Sequence, residues 1–226
     1  MQKYDIILLD ADDTLLDFKL AEKTAILETL SYFGLPTNGE VISKYSEINK
    51  QCWKMLERRE ITKPQLKVFR FAELCKTFSF DADPKEIAIS YENKLSEQTF
   101  VIDGAVDFCR RLSERCDVYL ITNGIKAVQA GRLAGSGILP YIKEAFVSED
   151  VGFEKPDVRY FEFVASKIEN FSKERALVIG DSLTSDIAGG INFGLDTCWY
   201  NPSGADGNGM TYIARSYPEI EAIIFE

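Results

Sequence analysis

Histidine is absent from the whole chain. Its absence excludes Ser-His-Asp and Cys-His nucleophilic catalysis, HExxH zinc sites and phosphohistidine chemistry. Any catalysis must therefore use carboxylates, lysine, hydroxyls or a metal ion. No CxxC pair occurs either. The five cysteines, Cys52, Cys75, Cys109, Cys116 and Cys198, are odd in number and scattered, as reduced and mostly buried thiols of the cytoplasm are. No stretch reaches the roughly 18 apolar residues of a membrane span. The amino terminus runs straight into a strand, without a basic segment, an apolar h-region or a small-residue cleavage site. The expectation is a cytoplasmic protein without a membrane partner. Basic residues are outnumbered, 26 Lys and Arg against 36 Asp and Glu, for a net charge of −10. That sign is wrong for a nucleic-acid polymer or an anionic membrane. A small anionic substrate can bind only where a metal ion or a local lysine reverses the field.

The richest local signal is Ile6-Ile7-Leu8-Leu9-Asp10-Ala11-Asp12-Asp13-Thr14. Four consecutive aliphatic residues predict a strand buried on both faces, as in a parallel sheet. At its carboxyl end three aspartates fall within four residues. Such carboxylates repel one another and need a cation or a shared proton, and ligands of open α/β sheets bind at the carboxyl ends of strands. Standing alone, the cluster also reads as an acidic surface turn.

Leu15-Leu16-Asp17-Phe18 then predicts a turn or small flap. From Lys19 to about Thr99 the periodicity is helical throughout. Ile26, Leu30 and Phe33 line one helix, which stops at Gly34 and Pro36. Val41, Tyr45, Ile48, Cys52 and Met55 line a second. Thr62 caps a third, with Val68, Phe71, Cys75 and Phe78 on its stripe. Asp83-Pro84-Lys85-Glu86 opens a fourth with an N-cap, a proline at the first helical position and a glutamate placed for a capping box. Beyond Phe100, helices alternate with short β-rich runs: Asp103 caps a helix, and strands are expected at 118–121, 145–148, 176–179 and 197–200. Pro156 opens a helix with Phe161, Val164, Ala165 and Ile168 inward, and another helix stops at Gly194. Residues 201–210 form a loop, 212–214 a short edge strand and 218–225 a closing helix. Alternating βαβ units imply a parallel sheet with helices on both faces. The fold class is α/β: a parallel-sheet core over residues 1–17 and 99–226, with residues 18–98 inserted after strand one as an all-helical domain.

Four features stand at strand ends or in a loop leading to a helix: Asp10-Ala11-Asp12-Asp13-Thr14, Ile121-Thr122-Asn123-Gly124, Lys155-Pro156, and Gly180-Asp181 through Asp186. In this order they resemble the four motifs of the haloacid-dehalogenase-like (HAD) superfamily of phosphohydrolases: DxDx[TV], a hydroxyl residue after strand two, a lysine, and a GDxxxxD-type acidic motif. Each motif alone is weak. A lone Lys-Pro is usually a solvated lysine, and a lone Thr-Asn-Gly is usually a turn. The helical insertion after the first motif resembles the C1-cap branch, whose core is a Rossmann-like sheet. Asp10 through Leu15, Ile121 through Gly124, Ser148-Glu149-Asp150-Val151-Gly152 with Lys155-Pro156, and Gly180 through Asn192 are most similar to the YjjG-type pyrimidine 5′-nucleotidases, and Thr197-Cys198-Trp199-Tyr200-Asn201 also fits.

The resemblance implies a division of labour. Asp10 attacks phosphorus and forms an aspartyl-phosphate. Asp12 gives a proton to the leaving oxygen and later takes one from water, a role that asks its carboxylate neighbours to keep it protonated near neutral pH. Mg²⁺, a hard cation that suits oxygen ligands, is held by the Asp10 carboxylate, the Asp12 main-chain carbonyl and Asp181, with Asp186 in support. The Thr122 hydroxyl and the N–H groups of Asn123 and Gly124, at the start of a helix, bind the phosphoryl group, and Lys155 adds fixed positive charge. Asp13 is expected to be a bystander in the turn. The substrate implied is a small phosphorylated molecule, a (deoxy)pyrimidine nucleoside monophosphate. Trp53, Phe69 or Phe71 could stack on the base, although aromatic residues on helices more often pack a core.

Three alternatives stay open. A phosphatase of sugar phosphates or phosphoglycolate, or a phosphomutase, would share every core motif. A dehalogenase keeps the nucleophile but needs no Mg²⁺ and lacks an acid at the second position, so Asp12 argues against it. A binding module for phosphorylated ligands without catalysis is the reading from a different class.

Overall fold

The computed structural model describes residues 3–226. The chain forms two compact units. One takes the residues up to Asp17 with Phe100–Lys126 and Leu133–Glu226; the other takes Phe18–Thr99 with Ala127–Arg132.

The second unit is helical: α1 (Phe18–Tyr32), α2 (Gly39–Glu57), α3 (Lys63–Phe78) and α4 (Pro84–Ser96). Asn38 caps α2, Thr62 caps α3 in a reciprocal capping box with Gln65, and Asp83 caps α4 ahead of Pro84. In each case a side-chain oxygen takes up a backbone N–H that lacks an intrahelical acceptor. The Asp83 side chain accepts from Lys85 N, and Glu86 adds an acid to the first turn. The buried stripes are rotated from the expected ones. On α2 Asn49 and Leu56 are buried and Met55 is only half-buried. A helix turns about 100° per residue, so a strict 4-3-4-3 spacing drifts off the buried arc. On α3 the arc runs through Leu66, Arg70, Phe71, Leu74 and Cys75, leaving Val68 and Phe78 at its edges. A buried arginine on that arc is what a hydrophobic pattern cannot anticipate. The Arg70 guanidinium lies 4.8 Å from the Tyr91 ring centroid and donates to Asn49 at 3.0 Å. Phe71 stacks on Tyr45 and is fully buried. It is therefore a core residue and offers no face to a nucleobase.

The first unit is a six-stranded sheet of β1 (Ile6–Asp10), β2 (Asp117–Thr122), β3 (Glu144–Val147), β4 (Ala176–Gly180), β5 (Asp196–Tyr200) and β6 (Tyr212–Ala214). The order is β3-β2-β1-β4-β5-β6 and every pairing is parallel, the Rossmann-type doubly wound arrangement. Its helices are α5 (Ala105–Ser113), α7 (Ser148–Val151), α8 (Val158–Lys167), α9 (Ala188–Phe193) and α10 (Tyr217–Phe225), and of α6 (Lys126–Ser136) it takes only the two ends. The four aliphatic residues of β1 are explained by the pleat. Ile7 and Leu9 enter one core with Phe108 of α5 and Ile220 of α10. Ile6 and Leu8 enter the opposite core with Phe161 and Val164 of α8. Side chains alternate faces along a strand, so Asp10 shares the Ile6 and Leu8 side, facing α8.

Strand ends differ from expectation by a residue, and three helices start further along than expected. Asp103 does not cap α5: Ala105 N–H closes a tight turn on the Ile102 carbonyl, and Gly104, at φ 79°, is the residue before the helix. The helix expected from Pro156 opens at Val158, capped by Asp157. The helix expected to begin at Asn123 and Gly124 begins at Lys126. No helix among the described residues is long and apolar enough to cross a membrane.

Candidate active site at the switch point of the sheet

Strand order reverses between β1 and β4, and at such a switch point an open α/β sheet leaves a crevice outside its carboxyl ends. Asp10 is the last residue of β1, Thr122 the last of β2, and Asp181 follows the last residue of β4. Beyond Asp10 the chain turns at once. Leu15 and Leu16 N–H both return to the Ala11 carbonyl, Asp13 N–H to the Leu16 carbonyl, and Asp13 adopts a left-handed φ of 57°. Asp13 is thus the turn residue anticipated. Thr14, the last position of the first motif, donates from its hydroxyl to Asp10 Oδ2 at 3.3 Å.

Lys155 comes from the loop between α7 and α8. Its Nζ reaches Asp10 Oδ1 at 2.7 Å, Asp186 Oδ1 at 2.6 Å and the Ile121 carbonyl at 2.9 Å. Three N–H donors meet three acceptors, so the buried ammonium is fully satisfied, which is what a desolvated charge requires. Burial pulls the Lys155 pKa down, but the charges of Asp10 and Asp186 outweigh it and hold the pKa above lysine's ordinary value. Asp186 sits in a single π turn, Leu183–Ile187. Its second oxygen accepts from Ser182 N–H at 3.1 Å. A Cβ on Gly180 would run into the Asp186 carboxylate, so only glycine lets β4 end this close to it.

Asp10, Asp181 and Asp186 each offer an oxygen, and all three oxygens lie within 4.8 Å of one another. Three carboxylates against one lysine leave an excess of negative charge. Burial first, and then Asp186, push the Asp10 pKa well above the carboxylate range, with Lys155 opposing. Asp181 is pushed up to about 7 by burial, then by the charges of Asp186 and Asp13. An all-oxygen donor set with surplus negative charge fits a hard divalent cation such as Mg²⁺. The side chain of Asp12 is not in this group and is half-buried in the turn beyond.

The second motif is arranged differently from expectation. Thr122 is buried and its Oγ1 accepts from Gly124 N–H at 3.0 Å. Asn123 and Gly124 lie in the loop before α6 and do not open the helix. Asn123 turns its side chain to the backbone of Lys155, donating to the Lys155 carbonyl at 2.8 Å and accepting its N–H at 2.9 Å. Sequence reasoning missed this role, and also that of Trp199, whose indole Nε1 donates to the Asp181 carbonyl at 2.7 Å. The only signal for Trp199 was the residue type, since a buried indole N–H needs an acceptor.

A strand-end carboxylate paired to a buried lysine, beside two further carboxylates at a sheet switch point, is the candidate active site of an α/β protein. Residues 4–194 match the model of the haloacid dehalogenase-like hydrolases, and the chain belongs to that family. It is 41% identical over 221 residues to the pyrimidine 5′-nucleotidase PynA of Streptococcus pneumoniae, covering 96% of this chain and 93% of that one. To the pyrimidine 5′-nucleotidase YjjG of Escherichia coli it is 30% identical, over 98% of both chains. The magnesium-bound crystal structure of the HAD-hydrolase YfnB from Bacillus subtilis superimposes over 100% of both chains with a TM-score of 0.94, at 38% identity.

Proposed function

We propose that the protein is a Mg²⁺-dependent phosphomonoesterase working through an aspartyl-phosphate, with (deoxy)pyrimidine nucleoside 5′-monophosphates as substrates. The observation that carries the chemistry is Asp10, fixed at the end of β1 by Lys155, with Asp181 and Asp186 beside it. The substrate assignment is supported by the likeness to PynA and YjjG.

Asp10 is the nucleophile: its carboxylate attacks phosphorus, the ester oxygen leaves with a proton from Asp12, and water then hydrolyses the acyl phosphate with Asp12 as base. Thr122, Asn123, Gly124 and Lys155 make up the phosphate-binding set: its amides come from a loop before α6, the Gly124 N–H exchanging its Thr122 acceptor for the phosphate, and Lys155 acts through its charge. Asp10, the main-chain carbonyl of Asp12 and Asp181 hold the metal, and Asp186 supports them through Lys155. When bound, Mg²⁺ supplies positive charge that offsets the phosphoryl oxygens and the carboxylates. Lys155 keeps one positive charge in place throughout, since its pKa is held high. Residues 18–98 select the substrate as a helical cap. Five unbridged cysteines support a cytoplasmic setting.

The test is a panel of phosphomonoesters compared by kcat/KM with and without Mg²⁺. Pyrimidine nucleotides are expected to lead, and a chelator to stop turnover. A sugar phosphate or phosphoglycolate leading by tenfold or more would overturn the nucleotide assignment. Ligand binding without turnover of any member would overturn the enzymatic one.

A further inference from the structure

The loop at 201–210 has no place in the chemistry above, yet its fold is specified. Asn201, at the end of β5, is almost fully buried and its side chain ties the loop back on itself. Its Oδ1 accepts from Ala205 N–H and from the Ser203 hydroxyl, each at 3.0 Å, and its Nδ2 donates to the Ala205 carbonyl at 2.8 Å. Two residues on, Gly207 lies close against the Trp199 ring. A Cβ there would come within 2.6 Å of Trp199 Cζ3 and 3.2 Å of Leu183 Cδ1, a contact no larger residue can make without moving the indole. Trp199 is itself 5% exposed, and its single polar atom is spent on the Asp181 carbonyl at 2.7 Å. Asp181 is one of three carboxylates whose oxygens converge within 4.8 Å.

We infer that Trp199 is a positioning residue for Asp181, held in register by the loop through Gly207 and Asn201, and that this strut sets the affinity of the site for its divalent cation. Asp181 follows directly on β4, whose last residue, Gly180, already touches Asp186. Its backbone is therefore gripped on one side by the packing of Gly180 and by the Ser182-to-Asp186 hydrogen bond, and on the other by the indole. With the peptide fixed at both sides, the Asp181 carboxylate is presented to the cluster with little freedom left to lose on binding a cation. Without the indole bond the Asp181 carbonyl loses its partner and the carboxylate loses one of its anchors. The cost falls on cation binding, because the indole bond goes to the backbone of Asp181, which in the proposed function holds the metal and neither attacks phosphorus nor moves a proton.

The inference rests on the metal reading above, and one experiment separates the two. Mg²⁺ is titrated calorimetrically into the full-length wild type, Trp199→Phe, Gly207→Val, Asn201→Ala and, as the reference for loss of the ligand, Asp181→Asn; the Mg²⁺ dependence of turnover is followed in parallel. Trp199→Phe keeps an aromatic side chain but removes the N–H donor and the outer part of the indole that meets Gly207. It is expected to weaken Mg²⁺ binding by about five- to tenfold, the scale of one lost hydrogen bond, with kcat at saturating Mg²⁺ within about twofold of wild type. Gly207→Val and Asn201→Ala are expected to shift the Mg²⁺ dissociation constant in the same direction, and they carry the test if Trp199→Phe does not fold. If wild type binds Mg²⁺ and these variants bind it equally well, the inference is overturned and the metal site stands. A fall in kcat at saturating Mg²⁺ without a change in Mg²⁺ affinity also overturns it. If wild type binds no Mg²⁺, the metal reading itself fails.

Discussion

Asn123 grips Lys155 from both sides of its backbone, donating to its carbonyl at 2.8 Å and accepting from its N–H at 2.9 Å. The two residues are 32 positions apart, and neither bond involves the lysine ammonium. The clamp holds the base of a side chain whose tip lies between Asp10 and Asp186. The consequence is that Asn123 controls the site without having to touch a substrate through its side chain.

Removing the clamp should therefore cost catalysis more than stability. Asn123→Ala is expected to lower kcat/KM by about ten- to a hundredfold, the scale of one or two hydrogen bonds felt in the transition state, while Tm falls by only a few degrees. Asn123→Asp keeps the acceptor for the Lys155 N–H and loses the donor, so it should fall between. Equal activity of Asn123→Ala and wild type would show that the lysine is placed by its ion pairs alone.

Lys155→Met leaves Asp10 and Asp186 buried together without their cation. Breaking such a pair costs about 3–5 kcal/mol, which in a chain of this size lowers Tm on the order of 10 °C. Adding Asp186→Asn to Lys155→Met should recover part of that loss, because it removes one of the two stranded charges. Thermal unfolding of the single and double variants measures the coupling directly.

Asp10→Asn should abolish turnover, by at least about a thousandfold, with the fold retained. Lys155 keeps Asp186 and the Ile121 carbonyl as partners in this variant, and the amide fills the same space. Circular dichroism should match wild type while the phosphatase assay with Mg²⁺ reads background. Activity in this variant would sink the nucleophile assignment.

Stability at low pH should report on the carboxylate at the start of β5. Asp196 accepts from Lys3 and from the Tyr4 hydroxyl; chiefly the bond from Lys3, and then that from Tyr4, lower its pKa below 3.8. A carboxylate whose folded pKa is depressed adds stability above its unfolded value and loses it as pH falls through the folded value. Asp196→Asn should cost roughly 1 kcal/mol or less at pH 7, since the pair is partly exposed. The gap to wild type should close as pH drops below about 4, the unfolded carboxylate value. A gap that persists at pH 2 would mean that packing, and not charge, holds this corner.

Much of the site was legible before any fold was known, because its motifs are local. Asp10 closes an aliphatic run that reads as a buried strand, and Gly180-Asp181 closes another. Helix starts were legible where a capping side chain reaches its own first turn, as at Thr62 and Asp83. What could not be read were interactions whose partners lie far along the chain. Periodicity placed Phe71 on the inner face of α3 but gave no warning of Arg70 beside it, because a charged residue enters a core only when other helices bring it Asn49 and an aromatic face.

The run from Ile6 to Thr14 thus determined by itself that a strand would end in clustered carboxylates, since burial and alternation follow from residue type and spacing alone. It could not say what would neutralise that cluster. The tertiary structure decided part of it, by bringing Lys155 across 145 positions to Asp10, and it also seated the Trp199 indole on the Asp181 backbone. Hydrogen bonds and ion pairs of that range depend on the packing of whole strands and helices, and no local pattern encodes them.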